Sequence, residues 1–168
     1  MWSSVLCEKL CDWISHLQGI KVISSFASLD GEVDLSALHH SLVSDFDFAY
    51  PLVSEGRLSF HTVGHPDELQ RGSFGISEPD PQKHERINER AIDLCLCPGL
   101  GFTPQGHRLG RGKAFYDSAL PLLKRGSFRV GIAFDLQIHG QLPTENHDIL
   151  MTHIASPSGV RPTLATGE

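Results

Sequence analysis

No run in this chain approaches the roughly 20 consecutive apolar residues of a membrane-spanning helix, although 40% of its 168 residues are hydrophobic. That combination excludes a helical membrane span and leaves one soluble globular domain with a well-buried core as the expectation. Excess positive charge is missing too. With 14 Lys and Arg against 20 Asp and Glu, the formal net charge is −6, whereas a general nucleic-acid binder needs a basic face. The four cysteines fall as Cys7/Cys11 and Cys95/Cys97, without the CxxC of a redox site or the paired spacing of a zinc knuckle, so reduced, buried thiols are expected. There are ten histidines but no HExxH, and His39, His40, His61, His65, His107, His139, His147 and His153 are scattered, which argues against zinc catalysis. Met1–Gln18 holds Glu8 and Asp12, no Arg and no small-residue cleavage site, so it does not read as a secretory signal and a cytoplasmic location is expected.

What is present alternates between helical and extended patterns. Trp2, Val5, Leu6, Leu10, Trp13, Ile14 and Leu17 recur at three- and four-residue steps, predicting an opening helix that Gly19 ends. A short β-branched strand over 20–26 follows. Leu35, Leu38, Leu42 and Val43 predict a second helix, with Asp34 placed to satisfy its first backbone donors. Strands are predicted over 46–53 and 58–63 around the turn Ser54-Glu55-Gly56, and the polar stretch 64–90 reads as surface loop with a short helix or two. Residues 92–97 predict a strand, 113–124 a helix and 129–134 another strand. No internal repeat is found. The alternation implies a single three-layer α/β domain over 1–154, with a mixed, largely parallel sheet flanked by helices. Residues 155–168, ASPSGVRPTLATGE after Ile154, predict a flexible C-terminal tail.

In such sheets ligands collect beyond the carboxyl ends of the strands. The loop after Cys97 is such a place, and Gly99–Asp117 reads GLGFTPQGHRLGRGKAFYD. Gly99, Gly101, Gly106, Gly110 and Gly112 permit turns closed to other residues and leave backbone N–H groups open to a phosphate. Arg108 and Arg111 can fork onto phosphate oxygens, and Lys113, beside the expected helix start, adds a point charge. The spacing is neither a Walker A loop nor a dinucleotide fingerprint. A tight strand-to-helix turn with a solvated basic face fits the composition about as well. Asp117, four residues after Lys113, suits either a surface ion pair or a hard oxygen ligand for Mg²⁺. Asp148 is a candidate second carboxylate and equally a turn or cap residue.

Taken in order, these residues resemble the 5-formyltetrahydrofolate cyclo-ligase family, also called methenyltetrahydrofolate synthetase. The resemblance rests on Asp93-Leu94 leading into PGLGF and on GHRLGRGKAFYD, supported by LDGEVD around Glu32, by Phe74-Gly75-Ile76-Ser77-Glu78-Pro79 and by PTENHD ending at Asp148. It implies ATP- and Mg²⁺-dependent conversion of 5-formyltetrahydrofolate to 5,10-methenyltetrahydrofolate through a phosphorylated formyl oxygen, the iminophosphate. Arg108, Leu109, Gly110, Arg111, Gly112, Lys113, Ala114, Phe115 and Tyr116 would border ATP. Glu32, Phe74 and Arg111, Gly112, Lys113, Ala114 and Phe115 would reach the folate. Arg111 and Lys113 would neutralise the transferring phosphoryl group, and Asp117 and Asp148 would hold Mg²⁺. A folate, ATP and no nucleic acid or membrane are the implied partners of a monomer.

Three departures from the family pattern stand out. The hallmark's usual glycine and first tyrosine are here Ala114 and Phe115, and Leu52 follows Pro51 where a basic residue is common. Family members usually open with a basic helix, whereas Lys9 is the only Lys or Arg here before Lys21. A noncatalytic folate- or nucleotide-binding relative is therefore the competing reading.

Overall fold

The computed structural model describes residues 1–145 and 148–164. In chain order its elements are α1 (Trp2–Ser15), β1 (Val22–Ser24), α2 (Ser36–Leu42), β2 (Asp47–Ser54), β3 (Arg57–Thr62), β4 (Gln70–Arg71), β5 (Ser77–Glu78), β6 (Arg86–Ile87), β7 (Leu94–Cys97), β8 (Gly101–Phe102), β9 (Arg108–Leu109), α3 (Phe115–Ala119), β10 (Phe128–Ile132), β11 (His153–Ser156) and β12 (Gly159–Pro162). One eight-stranded sheet runs β12-β11-β10-β7-β1-β2-β3-β6, and β4–β5 and β8–β9 are separate two-stranded ribbons. The five strands from β11 to β2 pair in parallel, and β12, β3 and β6 join antiparallel at the two sides. The expected mixed, largely parallel sheet with flanking helices is the observed one. No helix among the described residues is long and apolar enough to cross a membrane.

Central β7 explains why the sheet has two covered faces. All four of its residues are buried, as a parallel strand covered on both sides requires. Successive side chains point to opposite faces. Leu94 and Leu96 pack in one cluster with Leu6, Leu10 and Ile14 of α1 and Leu38 and Leu42 of α2. Cys95 and Cys97 belong to the other cluster, with Phe102, Ala119, Leu120 and Met151. All four cysteines are free thiols. Gly131 on β10 completes this packing, because a Cβ there would collide with the Phe102 ring.

Local chemistry sets the connections. β2 and β3 pair through Ser54↔Arg57, leaving Glu55 (φ 50°) and Gly56 (φ 74°) as a two-residue turn of the left-handed kind that matches sheet twist. Asp34 Oδ1 accepts the Ser36 N–H at 2.9 Å, one residue before the assigned cap of α2. Asp93, just before β7, accepts the N–H groups of Lys21 and Val22 at 2.8 and 2.9 Å and pairs with Lys124, tying β1, β7 and the end of the following helical segment together. Burial alone would raise the Asp93 pKa, but Lys124 and the two amides outweigh it and hold the carboxyl below its ordinary 3.8.

Two expectations change. The helix predicted over 113–124 is shorter: Ala114 adopts a left-handed conformation, α3 begins at Phe115, and a 3₁₀ turn over Leu120–Leu122 containing Pro121 takes over. A five-residue helix has little macrodipole, so the loop's positive character comes from its side chains. The tail expected from residue 155 is instead built into the sheet through residue 162. Ile154, Ala155 and Ser156 are buried, and Ser156 pairs with Gly159 (φ 133°) across a two-residue turn. Thr163 N–H and Leu164 N–H then bond to the carbonyls of Thr152 and Pro104. Alternation over only four residues, interrupted by Pro157-Ser158-Gly159, had concealed a hairpin. Residues 165–168 lie outside the described residues.

Candidate functional site

Beyond the carboxyl ends of β1 and β7 the chain encloses a cleft of about 700 Å³. Phe26 and Ala27 follow β1 into its wall, Pro98 and Gly99 follow β7, and Pro51, Val53 and Leu58 come from the β2–β3 hairpin. Facing them is the glycine-rich loop. After β8 the chain turns at Gly106 (φ 98°), where a Cβ would lie 2.6 Å from Met151 O, and returns as β9. Leu100 N–H and Gly106 N–H close this ribbon on Leu109 O and Thr103 O at 2.7 and 2.9 Å. Ala114 (φ 53°, ψ 18°) then redirects the backbone into α3.

Every residue the resemblance assigns to the site lines this one cleft: Glu32, Phe74, the whole run Arg108–Asp117, and Asp148; of the other loop glycines Gly99 lines it too, while Gly101 and Gly106 do not. Glu32 and Arg111, 79 positions apart, meet as an ion pair, with Arg111 Nε and NH2 donating to Glu32 Oε1 at 3.2 and 3.1 Å. Lys113 Nζ stands 4.1 Å over the Phe74 ring, and Phe115 lies 6.3 Å from Phe74 between ring centroids. Phe74 is 59% exposed and itself left-handed, at φ 58°. A half-exposed ion pair stabilises by about 1 kcal/mol or less, and an exposed cation–π contact by about 0.5–1 kcal/mol. Both cations are therefore held loosely enough for a polyphosphate to claim them.

Arg108 differs from them. Its side chain is only 6% exposed; NH1 donates to Pro98 O at 3.1 Å, NH2 to Asp117 Oδ1 at 3.2 Å, and the guanidinium lies 5.4 Å from the Tyr116 ring centroid. It is a strut beneath the loop, positioning Asp117 and Tyr116. Neither expected fate of Asp117, pairing with Lys113 or standing clear for a metal, describes it fully, because Arg108 takes one of its oxygens. Arg108 Nε and the Tyr116 hydroxyl are buried without a protein hydrogen-bond partner. Burial, reinforced by the nearby Cys95 and Cys97 thiols, pushes the Tyr116 phenol well up, so it stays protonated.

Asp148 Oδ2 accepts the Glu145 N–H at 2.8 Å, the turn-fastening role open to it, while still lining the cleft; Asn146 and His147 of the same motif lie outside the described residues. No group of three or more His, Cys, Asp and Glu able to hold a metal occurs among the described residues. Two separated carboxylates suit Mg²⁺, which keeps waters and phosphate oxygens and takes only one or two protein carboxylates, far better than they suit a caged ion. The donor set thus fits Mg²⁺ delivered on a polyphosphate.

Sequence reasoning left out Phe26, Ala27, Val53 and Leu58, which with Ile76 form an apolar part of the cleft. Phe26, Val53 and Leu58 sit in stretches that read as strand and Ala27 just past one, so only their position past a strand end or on a hairpin distinguishes them. Glu78, buried on β5 and also lining the cleft, lies inside the quoted Phe74–Pro79 motif, which was the available signal.

The 5-formyltetrahydrofolate cyclo-ligase family model matches residues 3–157. The 5-formyltetrahydrofolate cyclo-ligase of Escherichia coli is 31% identical over 143 residues, covering 82% of this chain and 79% of that protein. Those of Mycolicibacterium smegmatis and Arabidopsis thaliana (mitochondrial) are 35% and 29% identical, over 55% and 89% of this chain. The chain spans only 47% and 63% of those two proteins' lengths. The solved structure of Aquifex aeolicus 5,10-methenyltetrahydrofolate synthetase superposes with a TM-score of 0.78 at 32% identity, covering 97% of this chain and 83% of that one.

Proposed function

The chain belongs to the 5-formyltetrahydrofolate cyclo-ligase family, and from that premise we propose that it uses ATP and Mg²⁺ to convert 5-formyltetrahydrofolate to 5,10-methenyltetrahydrofolate, releasing ADP and phosphate. The observation that carries the reading is the convergence of Glu32, Phe74, Arg111, Lys113, Asp117 and Asp148 on one cleft. In this reading Arg108 to Tyr116 border the nucleotide, Arg111 to Phe115 also reach the folate, Phe74 offers the pterin an aromatic face, and Glu32 lies beside it.

The formamide oxygen is a poor leaving group. Transfer of the γ-phosphoryl group from ATP to that oxygen makes it one: the bond to ADP breaks as the new O–P bond forms. The neighbouring aniline nitrogen then attacks the activated carbon, the ring closes, and phosphate leaves with the oxygen and takes up the proton that the nitrogen gives up. Phosphoryl transfer asks for positioning and charge neutralisation more than for covalent help from the protein. Arg111 and Lys113 supply the charge once phosphate draws them from Glu32 and Phe74. Asp117 and Asp148 would hold Mg²⁺, whose chemistry is to neutralise phosphate oxygens. Arg108 keeps Asp117 in place, and the apolar wall of Phe26, Val53 and Leu58 excludes water from the reacting centre. The working form is a cytoplasmic monomer with no nucleic-acid or membrane partner.

Replacing Lys113 by Ala or Asp117 by Asn tests the assignment. Each is expected to lower kcat/KM by about 100-fold with an unchanged far-ultraviolet circular dichroism spectrum. Near-wild-type kinetics in both would overturn it.

A further inference from the structure

Away from the cleft, the last turn of α2 meets the segment that follows β3, and two imidazoles face each other there. His40 Nε2 and His65 Nε2 are 2.8 Å apart, with ring centroids at 4.5 Å and planes at 81°. The other nitrogen of each ring is already oriented. His40 Nδ1 lies 2.6 Å from Ser36 O, one turn back on the same helix. A carbonyl only accepts, so Nδ1 carries the proton and Nε2 presents its lone pair. His65 Nδ1 lies 3.3 Å from Asp67 Oδ2 and 3.2 Å from the Asp67 amide nitrogen.

Two ring nitrogens this close need one positive centre between them. A proton meets that need when His65 Nε2–H donates to His40 Nε2 and His65 Nδ1 accepts the Asp67 N–H. When His65 Nδ1–H turns instead to the Asp67 carboxylate, both Nε2 lone pairs converge, backed by a carbonyl on one side and a carboxylate on the other. That is the outer-shell pattern that orients metal-ligating imidazoles. Metal–nitrogen bonds of about 2.0–2.1 Å meeting near a right angle place their nitrogens about 2.9 Å apart, close to the separation here. His39 does not join them, since its nitrogens face the Tyr50 hydroxyl at 3.0 Å and Gly64 O at 3.1 Å.

We propose that His40 and His65 form a chelating site for a first-row divalent cation of the imidazole-seeking kind that accepts right-angle ligands, Cu²⁺ or Ni²⁺. No third protein ligand converges on the pair among the described residues, so water completes the coordination and the ion exchanges readily. An all-nitrogen donor pair selects against Mg²⁺, and neither histidine lines the cleft; the site is independent of the catalytic reading. Its structural consequence is a staple. Residues 64–69 lead directly through β4 into the turn carrying Phe74, and the bound ion would fix the start of that segment to α2.

The test is calorimetric titration of tag-free protein with NiCl₂, paired with proton spectra of the histidine rings. One equivalent is expected to bind, with His40→Gln and His65→Gln each weakening it by about tenfold or more, while a change at exposed His16, to Gln, leaves it unaltered. Paramagnetic broadening in the unsubstituted protein should begin at the His40 and His65 ring protons. No binding, binding by either single variant as tight as that of the unsubstituted protein, or broadening that begins at other histidines would overturn the site.

Discussion

Two non-glycine residues at the cleft stand in left-handed backbone, Phe74 and Ala114, and the second has a direct consequence. A left-handed residue with a Cβ is strained by about 1–2 kcal/mol relative to glycine, so Ala114→Gly is expected to raise the denaturant midpoint by the equivalent of about 1 kcal/mol after the looser unfolded chain is counted. A lowered midpoint would contradict that conformation. Asp93 gives a second prediction. Its folded pKa lies below the ordinary 3.8, so its stabilisation is complete above that value and is lost as the pH falls through the lower, folded one. Asp93→Asn should therefore cost about 2 kcal/mol at pH 7, and the difference from wild type should narrow in urea titrations below about pH 4. A constant difference would sink the assignment. At this scale the sequence revealed which side chains gather and left open whom they touch. Arg111 and Lys113 were readable as cleft cations, but their contacts with Glu32 and Phe74 span long sequence separations. Only the folded chain shows Arg108 turned inward to Asp117.

Among the elements, β7 and its neighbours set the position of everything else. The apolar run Leu94–Cys97 was legible because a strand buried on both faces must be apolar throughout. The opening helix was equally legible from its periodicity, and α1 starts at Trp2 and ends at Ser15. α3 was overextended because its apolar spacing continues past Ala119 while Pro121 and a left-handed Ala114 cut it at both ends. The β11–β12 hairpin was missed because each strand has only four residues. The contact between β10 and the glycine-rich loop makes a prediction of its own. Gly131→Ala forces a methyl into the Phe102 ring, and overpacking of this kind costs about 1–3 kcal/mol. Because Phe102 lies on β8, at the root of the loop, the same substitution should weaken Mg²⁺–ATP binding measured by calorimetry. Full stability with full affinity would mean that the ring does not depend on this gap.

For the whole molecule, the cleft exists because β1 and β7 end side by side and the glycine-rich loop folds back across them. Its cationic wall on a chain of net charge −6 is a local feature that fits an anionic ligand. Binding to the folded state alone raises stability by mass action, so Mg²⁺–ATP should raise the thermal midpoint and Lys113→Ala should remove the shift. The most direct measurement mixes purified protein with 5-formyltetrahydrofolate, Mg²⁺ and ATP and follows the near-ultraviolet absorbance of methenyl product. Product that forms with ATP, and not without it, is the predicted result. No product at high protein concentration, while ATP and folate both bind, would contradict the enzyme and leave a binding relative of the same fold.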